Sequence, residues 1–179
     1  MLITVAMMRG INVGGQKIIR MENLRASFEA LGFRRVRSYV QSGNVIFEAA
    51  KTLDNLSVII GKKILGDYGF SVPVILRTAD EMKKIVSGNP FLNEKGIDSS
   101  KFHVTFLSGL PTEAALGKLA ALNSYPDQFR VKGCEVFLYC PDGYGRTKLS
   151  NTAFEKLLSM DATTRNWKTV NTLAKMSSG

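Results

Sequence analysis

The 179-residue sequence is poor in the residues that build metal centres and disulfides, since it contains one histidine and two cysteines. Protein zinc sites draw their ligands chiefly from clusters of cysteine and histidine. Cys134 and Cys140 lie six residues apart in a predicted strand, which separates their Cα atoms by roughly 20 Å against the ~7 Å that a disulfide allows. We therefore expect no metal site, no bridge between these cysteines within that strand, and a reduced protein.

Long apolar runs are also lacking. The run Leu2–Met8 has seven residues, whereas a membrane-spanning helix needs about 20. It follows no basic region and ends at Arg9, unlike the apolar part of a signal peptide. The sequence thus predicts a cytoplasmic protein with no membrane partner.

Acidic residues are fewer than basic ones, at 15 against 24, and the formal net charge is +9. The excess lies at the two ends of the chain: residues 1–48 carry +4, residues 49–143 carry +1, and residues 144–179 carry +4. Such a field attracts anions, whether phosphorylated metabolites, nucleic acid or membrane headgroups. A basic surface that only maintains solubility is the alternative.

Hydrophobic spacing predicts the same element order in both halves of the chain. In the first half, a buried strand at Leu2–Met8 precedes a helix over 21–32, a hairpin over 36–47, a second helix from Leu53 to Gly69 and a strand over 72–77. This β-α-β-β-α-β order is the ferredoxin-like pattern.

The order β-α-β-β-α occurs again over 102–158. A last helix carrying Trp167 then stands where the repeat would place a strand. We expect an α+β protein of two ferredoxin-like halves with antiparallel sheets and an extra C-terminal helix. The predicted parts are a subdomain over 1–87, a linker over 88–101 and a related subdomain over 102–179.

The start of that last helix carries an arginine. Thr163 or Thr164 is a favoured N-cap, which would place Arg165 in the first helical turn, where the helix dipole disfavours a cation by a few tenths of a kcal/mol. A bound anion that accepts from both the helix amides and Arg165 would offset this mismatch. An ion pair with Asp161, with Trp167 packed in the core, is the competing explanation.

Two glycine-containing loops combine small residues with cations. The loop 9–17 can turn several backbone N–H groups toward a phosphate, although it matches neither the P-loop nor the dinucleotide-binding spacing. The loop 142–148 contains Arg146 and Lys148, whose side chains are the usual partners of phosphate and carboxylate. A turn with no ligand is the alternative for each loop.

Other chemistry is disfavoured. His103 alternates with apolar residues along a predicted strand, and with no partner triad apparent we expect a structural residue rather than a general base. The stretch 132–139 matches the RNA-binding RNP1 pattern only at Lys132, Gly133 and Tyr139. An RNA-reading sheet is therefore disfavoured.

Seven segments together carry a family pattern: RGINVGG at 9–15, LR at 24–25 with LGF at 31–33, YVQSGNVIF at 39–47, VPV at 72–74, NPF at 89–91, PDGYGRTKL at 141–149 and ATTRNWKTV at 162–170. With these segments the chain resembles DUF1697, a bacterial family of unknown function. The resemblance spans nearly the whole chain and implies a ferredoxin-like α+β architecture and a cytoplasmic bacterial protein. It implies no activity and assigns no catalytic residue or cofactor.

We expect a protein that binds, or acts on, a phosphorylated or otherwise anionic small ligand in a cleft between the glycine-rich and basic loops. Cations would hold the anion, amide side chains would orient it, and an aromatic ring would stack on it. The predicted ligand-binding residues are Arg9, Asn12, Gly14, Gly15, Gln41, Asn44, Tyr144, Arg146, Lys148, Thr164, Arg165, Asn166 and Trp167.

Two alternatives belong to other functional classes. Sequence-independent binding of nucleic acid by the two basic ends predicts an affinity that falls steeply with salt. A protein-interaction module predicts an exposed apolar patch. The sequence identifies neither a cofactor nor an oligomeric state, and it does not establish turnover.

Overall fold

The computed structural model describes residues 1–50 and 55–179. These residues form two four-stranded antiparallel sheets, with helices following the strands, which confirms the predicted α+β fold class. Within them, no helix is long and apolar enough to cross a membrane.

The chain divides into two compact units. The first comprises residues 1–84 with 173–179, and the second comprises residues 85–172. Contacts within the folded chain do not test independent folding. The subdomains predicted at 1–87 and 102–179 therefore stay predictions.

The first unit contains a sheet of strand order β2-β3-β1-β4 with antiparallel neighbours. Its strands are β1 Leu2–Met8, β2 Arg34–Tyr39, β3 Asn44–Ala49 and β4 Val74–Thr78. Its helices are α1 Met21–Ala30 and α2 Leu56–Tyr68, and α3 Ala79–Ser87 follows β4. The second helix is predicted from Leu53, which lies outside the described residues.

Aromatic packing holds α1 against this sheet. The ring of Phe47 lies 5.2 Å from that of Phe28 and 4.6 Å from that of Phe33, measured between centroids. All three side chains are buried, and each contributes about 1.5–3 kcal/mol by leaving water. Because side chains alternate between the two faces along β3, one face of the hairpin packs against α1. The loops at the ends of β1 and β2 stay at the surface.

The second unit repeats this topology with strand order β6-β7-β5-β8. Its strands are β5 Phe102–Leu107, β6 Gln128–Lys132, β7 Glu135–Tyr139 and β8 Ala162–Asn166. Its helices are α4 Glu113–Ala120 and α5 Asn151–Leu158, with short 3₁₀ turns at Ser99–Lys101 and Tyr144–Arg146. The helix α6 Trp167–Ser177 follows β8, and its residues from Leu173 onward belong to the first unit.

One local expectation was wrong. Residues 162–166 form the strand β8, so the second half completes the β-α-β-β-α-β order, and α6 follows it as α3 follows β4. The helix cap is Asn166, whose Oδ1 accepts from the Thr169 amide at 2.8 Å, rather than Thr163 or Thr164. Threonine suits a strand as well as a cap, and pairing with β5 gives the backbone of this segment its hydrogen-bond partners.

Candidate functional site

Asn12 joins the two loops of the first unit that the sequence singles out. Its Nδ2 donates to the Gln41 carbonyl oxygen at 2.7 Å and to the Ile19 carbonyl oxygen at 3.0 Å. Its Oδ1 accepts from the Ile19 amide at 2.8 Å. Asn12 itself has φ +54°, a conformation that asparagine tolerates better than most residues. The loops 9–17 and 41–44 are therefore held together by one side chain.

The turn between β2 and β3 is tightly constrained. Gly43 has φ +85°, and a Cβ there would lie 2.5 Å from Ile11 Cδ1, so only glycine fits without a shift. Asn44 is fully buried, and its Nδ2 donates to the Tyr39 carbonyl oxygen at 2.9 Å. The buried amide of Asn44 thus supports the turn.

A groove of about 400 Å³ lies beside this junction, at the start of α1. Arg20 and Arg25 flank it, together with Asn12, Gln41 and one acidic residue, Glu22. Arg25 Nη1 donates to Ser38 Oγ at 2.6 Å. Arg20 occupies the N-cap position and makes no side-chain capping bond.

Neither arginine was among the residues predicted from sequence. The sequence nevertheless contains a signal for Arg20. The helix α1 begins directly after this basic residue, so it lacks the serine, threonine, aspartate or asparagine that commonly caps a helix.

The remaining predicted residues of the first unit lie outside the lining of this groove. Arg9 is half-buried, and its backbone amide donates to the Pro73 carbonyl oxygen at 3.0 Å. Gly14 and Gly15 form the exposed tip of the loop, between Val13 and Gln16, which make a bridge.

In the second unit, His103 connects the other two predicted segments. The Tyr144 ring stacks on the imidazole with 4.8 Å between centroids and 22° between planes. Across the β5–β8 ladder, His103 pairs with Asn166. The loop 143–148 and the strand 162–166 therefore meet at this histidine. That these segments share one cleft with the loops of the first unit stays a prediction.

Arg165 lies within β8 rather than in a first helical turn, so the expected conflict with the helix dipole does not arise. Only 8% of its surface is exposed. Its Nη1 donates to Thr163 Oγ1 at 2.7 Å and to the Thr164 carbonyl oxygen at 3.1 Å. Trp167, the first residue of α6, packs edge-to-face on Phe102.

Three polar side chains are linked by hydrogen bonds beside this segment. The hydroxyl oxygens of Thr105 and Thr164 lie 2.7 Å apart, and Thr164 Oγ1 donates to Asn151 Oδ1 at 2.6 Å. Because Thr164 donates its proton to Asn151, its Oγ1 accepts from the Thr105 hydroxyl. Thr164 is thereby engaged with two neighbouring elements, β5 and α5.

Arg146 and Lys148 line a small pocket of about 100 Å³. Two carboxylates, Asp127 and Asp142, line the same pocket, and Asp127 Oδ2 accepts from Thr147 Oγ1 at 2.6 Å. The cations and carboxylates balance in number. This pocket therefore offers an anion a weaker field than the groove at α1 does.

The buried thiol near this pocket is poorly suited to nucleophilic chemistry. Burial raises the pKa of Cys140 to about 11, against a smaller opposing effect of its hydrogen bond with Thr147. The thiolate, which is the reactive form, is therefore scarce at neutral pH.

The environment of His103 predicts a pH dependence. Burial lowers the pKa of its imidazole, and a hydrogen bond with the Lys101 backbone only partly opposes this effect. Among the described residues, Nδ1 is buried without a hydrogen-bond partner. A folded-state pKa below the unfolded value of ~6.5 means that the unfolded chain binds the proton more readily. The contribution of His103 to the free energy of unfolding is therefore complete above pH ~6.5 and falls as the pH drops below that value.

Because the chain has one histidine, this prediction can be checked on a single NMR resonance. We expect the imidazole Cε1–H to titrate below pH 6.5 in the folded protein. The free energy of unfolding in urea should decline between pH 7 and pH 5.5, and His103→Gln should flatten that decline. A folded-state pKa at or above the ordinary value would contradict the prediction.

Comparison with known proteins supports the fold and the family. No curated protein shows significant similarity to the chain. Among solved structures, the chain is similar to the conserved bacterial protein SP0830 from Streptococcus pneumoniae, with a TM-score of 0.73, 20% sequence identity and 98% coverage of both chains. At this identity the likeness shows the fold alone. The family pattern of the proteins of unknown function DUF1697 matches residues 1–137, so the chain belongs to the DUF1697 family.

Proposed function

We propose that this protein binds a phosphorylated or otherwise anionic small ligand in the groove at the start of α1. The observation that carries the proposal is the pairing of two arginines, Arg20 and Arg25, with a helix start that has no side-chain cap. Side-chain oxygens of Thr112, Ser150 and Asn166 cap α4, α5 and α6, whereas α1 and α2 both begin without a side-chain cap. At α1 the residue in that position is a cation, which cannot accept from the amides.

The chemistry of the groove suits an anion. The first amides of a helix carry a partial positive charge that attracts phosphate and carboxylate. A guanidinium adds a planar pair of donors that matches either group. Among the residues that the structure describes, Glu22 is the one carboxylate in the lining. A volume of about 400 Å³ lies within the range of small-ligand sites.

Asn12 and Gln41 would orient the ligand. Both line the groove, and the Gln41 carbonyl oxygen is tied to Asn12 Nδ2. The predicted roles of Arg146, Lys148 and Arg165 as anion partners concern the second unit by itself and stay predictions.

Isothermal titration with inorganic phosphate, pyrophosphate and adenosine monophosphate tests the proposal. We expect Arg20→Ala and Arg25→Ala each to weaken binding by about 10- to 150-fold, since a charged hydrogen bond contributes about 1.5–3 kcal/mol. Saturating ligand, at a hundredfold above its dissociation constant, should add ~2.7 kcal/mol to wild-type stability. Arg34→Ala is the matched control, because Arg34 is exposed and lies at the end of β2 far from the turn.

Equal affinities of the wild type and the Arg20→Ala/Arg25→Ala double variant would overturn the proposal. Loss of binding in Arg146→Ala/Lys148→Ala with no loss in the first pair would assign the anion to the small pocket of the second unit instead.

Nucleic-acid binding by the basic ends gives a different pattern. It predicts a linear fall of log affinity with log salt concentration for a DNA duplex. It also predicts that Arg34→Ala weakens binding as much as Arg20→Ala does.

A further inference from the structure

Three branched aliphatic side chains are exposed on the loops that Asn12 joins. Val13, Ile18 and Val40 expose 64%, 67% and 46% of their surface; we call these three residues the aliphatic patch. Val13 follows Asn12 in sequence, and Ile18 and Val40 adjoin Ile19 and Gln41, which Asn12 contacts directly. Each of the three residues is therefore next in sequence to a residue of the junction that Asn12 holds together.

The aliphatic patch contributes little to the isolated fold. Val40 has φ +51°, a conformation in which a β-branched residue is a genuine outlier. An asparagine or glycine would occupy this turn position with less strain. Because this strained valine leaves nearly half of its surface exposed, further apolar contact for it can come only from another molecule.

Two cations lie next to the Ile18 part of the aliphatic patch. Lys17 and Arg20 are both exposed and flank Ile18 and Ile19, and Lys17 Nζ donates to the Ser71 carbonyl oxygen at 2.9 Å. No acidic residue occurs in 9–21 or in 34–47. The surface thus combines exposed aliphatic side chains with positive charge. This combination fits a partner that has an apolar interior and an anionic surface.

We propose that the aliphatic patch docks on an anionic lipid bilayer, with its side chains among the acyl chains and Lys17 and Arg20 at the headgroup phosphates. A stable protein interface buries about 800 Å² on each partner, which three aliphatic side chains do not supply. A bilayer surface accepts small apolar insertions, and each nearby cation strengthens binding roughly fivefold. Nucleic acid offers no apolar interior to these residues.

This docking goes beyond the proposed function and shares Arg20 with it. The expectation of no membrane partner rests on the lack of a membrane-spanning run. Insertion of loop side chains into one face of a bilayer needs no such run.

Cosedimentation of the full chain with vesicles tests the proposal. We expect binding to equimolar phosphatidylcholine and phosphatidylglycerol, and much weaker binding to phosphatidylcholine alone. Val13→Ser/Ile18→Ser should reduce the partition coefficient about tenfold. Val13→Ser alone, at a residue outside the lining of the groove, should reduce it severalfold while leaving phosphate binding unchanged. Val58→Ser is the matched control, since this valine is 50% exposed but lies on α2, outside the aliphatic patch.

The results of these experiments distinguish docking on a bilayer from anion binding in the groove at α1. Loss of phosphate binding in Arg20→Ala, together with full vesicle binding by Val13→Ser/Ile18→Ser, would overturn the docking and leave the anion groove standing. Equal losses in Val13→Ser/Ile18→Ser and Val58→Ser would also overturn it. So would binding of a DNA duplex with no binding of anionic vesicles, which would favour nucleic acid as the partner.

Discussion

Replacing Asn12 by alanine is expected to lower the free energy of unfolding by about 2–3 kcal/mol and to abolish ligand binding at the groove. The substitution removes the three hydrogen bonds with Ile19 and Gln41, each worth about 1 kcal/mol. It also places alanine at φ +54°, which costs roughly another 1 kcal/mol. We discount the sum because the bonds are partly exposed. Urea unfolding and phosphate titration measure the two effects.

Asn12→Gly is the matched control for the backbone. Glycine adopts a positive φ without strain, so this variant isolates the loss of the hydrogen bonds. Asn12→Asp keeps the acceptor for the Ile19 amide but sets a carboxylate oxygen against the Ile19 and Gln41 carbonyl oxygens, so it should be destabilised at least as much as Asn12→Ala. A change below about 0.5 kcal/mol in Asn12→Ala, the size of an ordinary surface effect, would show that Asn12 does not hold the loops together.

Replacing Gly43 by alanine is expected to lower the free energy of unfolding by about 2–4 kcal/mol. The new Cβ would lie 2.5 Å from Ile11 Cδ1 and 2.9 Å from Met8 Cβ, and overpacking of this kind costs about 1–3 kcal/mol. The φ of +85° adds roughly 1 kcal/mol for any residue with a Cβ. For a chain of this size the melting temperature should fall by about 2–4 °C per kcal/mol, which calorimetry can measure.

Gly32→Ala separates the two contributions to the Gly43 effect. Gly32 has φ +82°, and a Cβ there would meet no neighbouring atom within 4 Å, so its substitution carries the backbone cost alone. Adding Ile11→Val to Gly43→Ala removes the nearest clashing atom and should recover part of the loss. If Gly43→Ala and Gly32→Ala destabilise equally, close packing against Ile11 plays no part.

Local sequence signals predicted most of the elements. The run Leu2–Met8 forms β1 with the same bounds, because a strand buried on both faces needs a continuous apolar run. The hairpin turns at Gln41–Asn44 as expected, with Gly43 at φ +85°, a conformation that glycine adopts without strain. These signals depend on neighbouring residues only, so they can be read without the fold.

The segment 162–166 shows where such signals mislead. Thr163 and Thr164 have the residue type of a helix cap, yet both lie in β8. Their partners are on β5, about 60 positions away in the chain, where Thr105 pairs with Thr164. Hydrogen bonds to a distant strand outweighed a local capping preference, and this pairing moved Arg165 from a helix start into a buried strand.

By itself, the sequence determined the order of strands and helices apart from β8, the family, the basic charge and two of the residues in the groove, Asn12 and Gln41. The tertiary structure alone decided that Arg20 and Arg25 flank that groove and that Val13, Ile18 and Val40 lie exposed together. Periodicity and turn preference arise from neighbours in the chain. The exposure of a side chain and the contact between two loops depend instead on which residues, distant in sequence, pack beside that side chain or those loops.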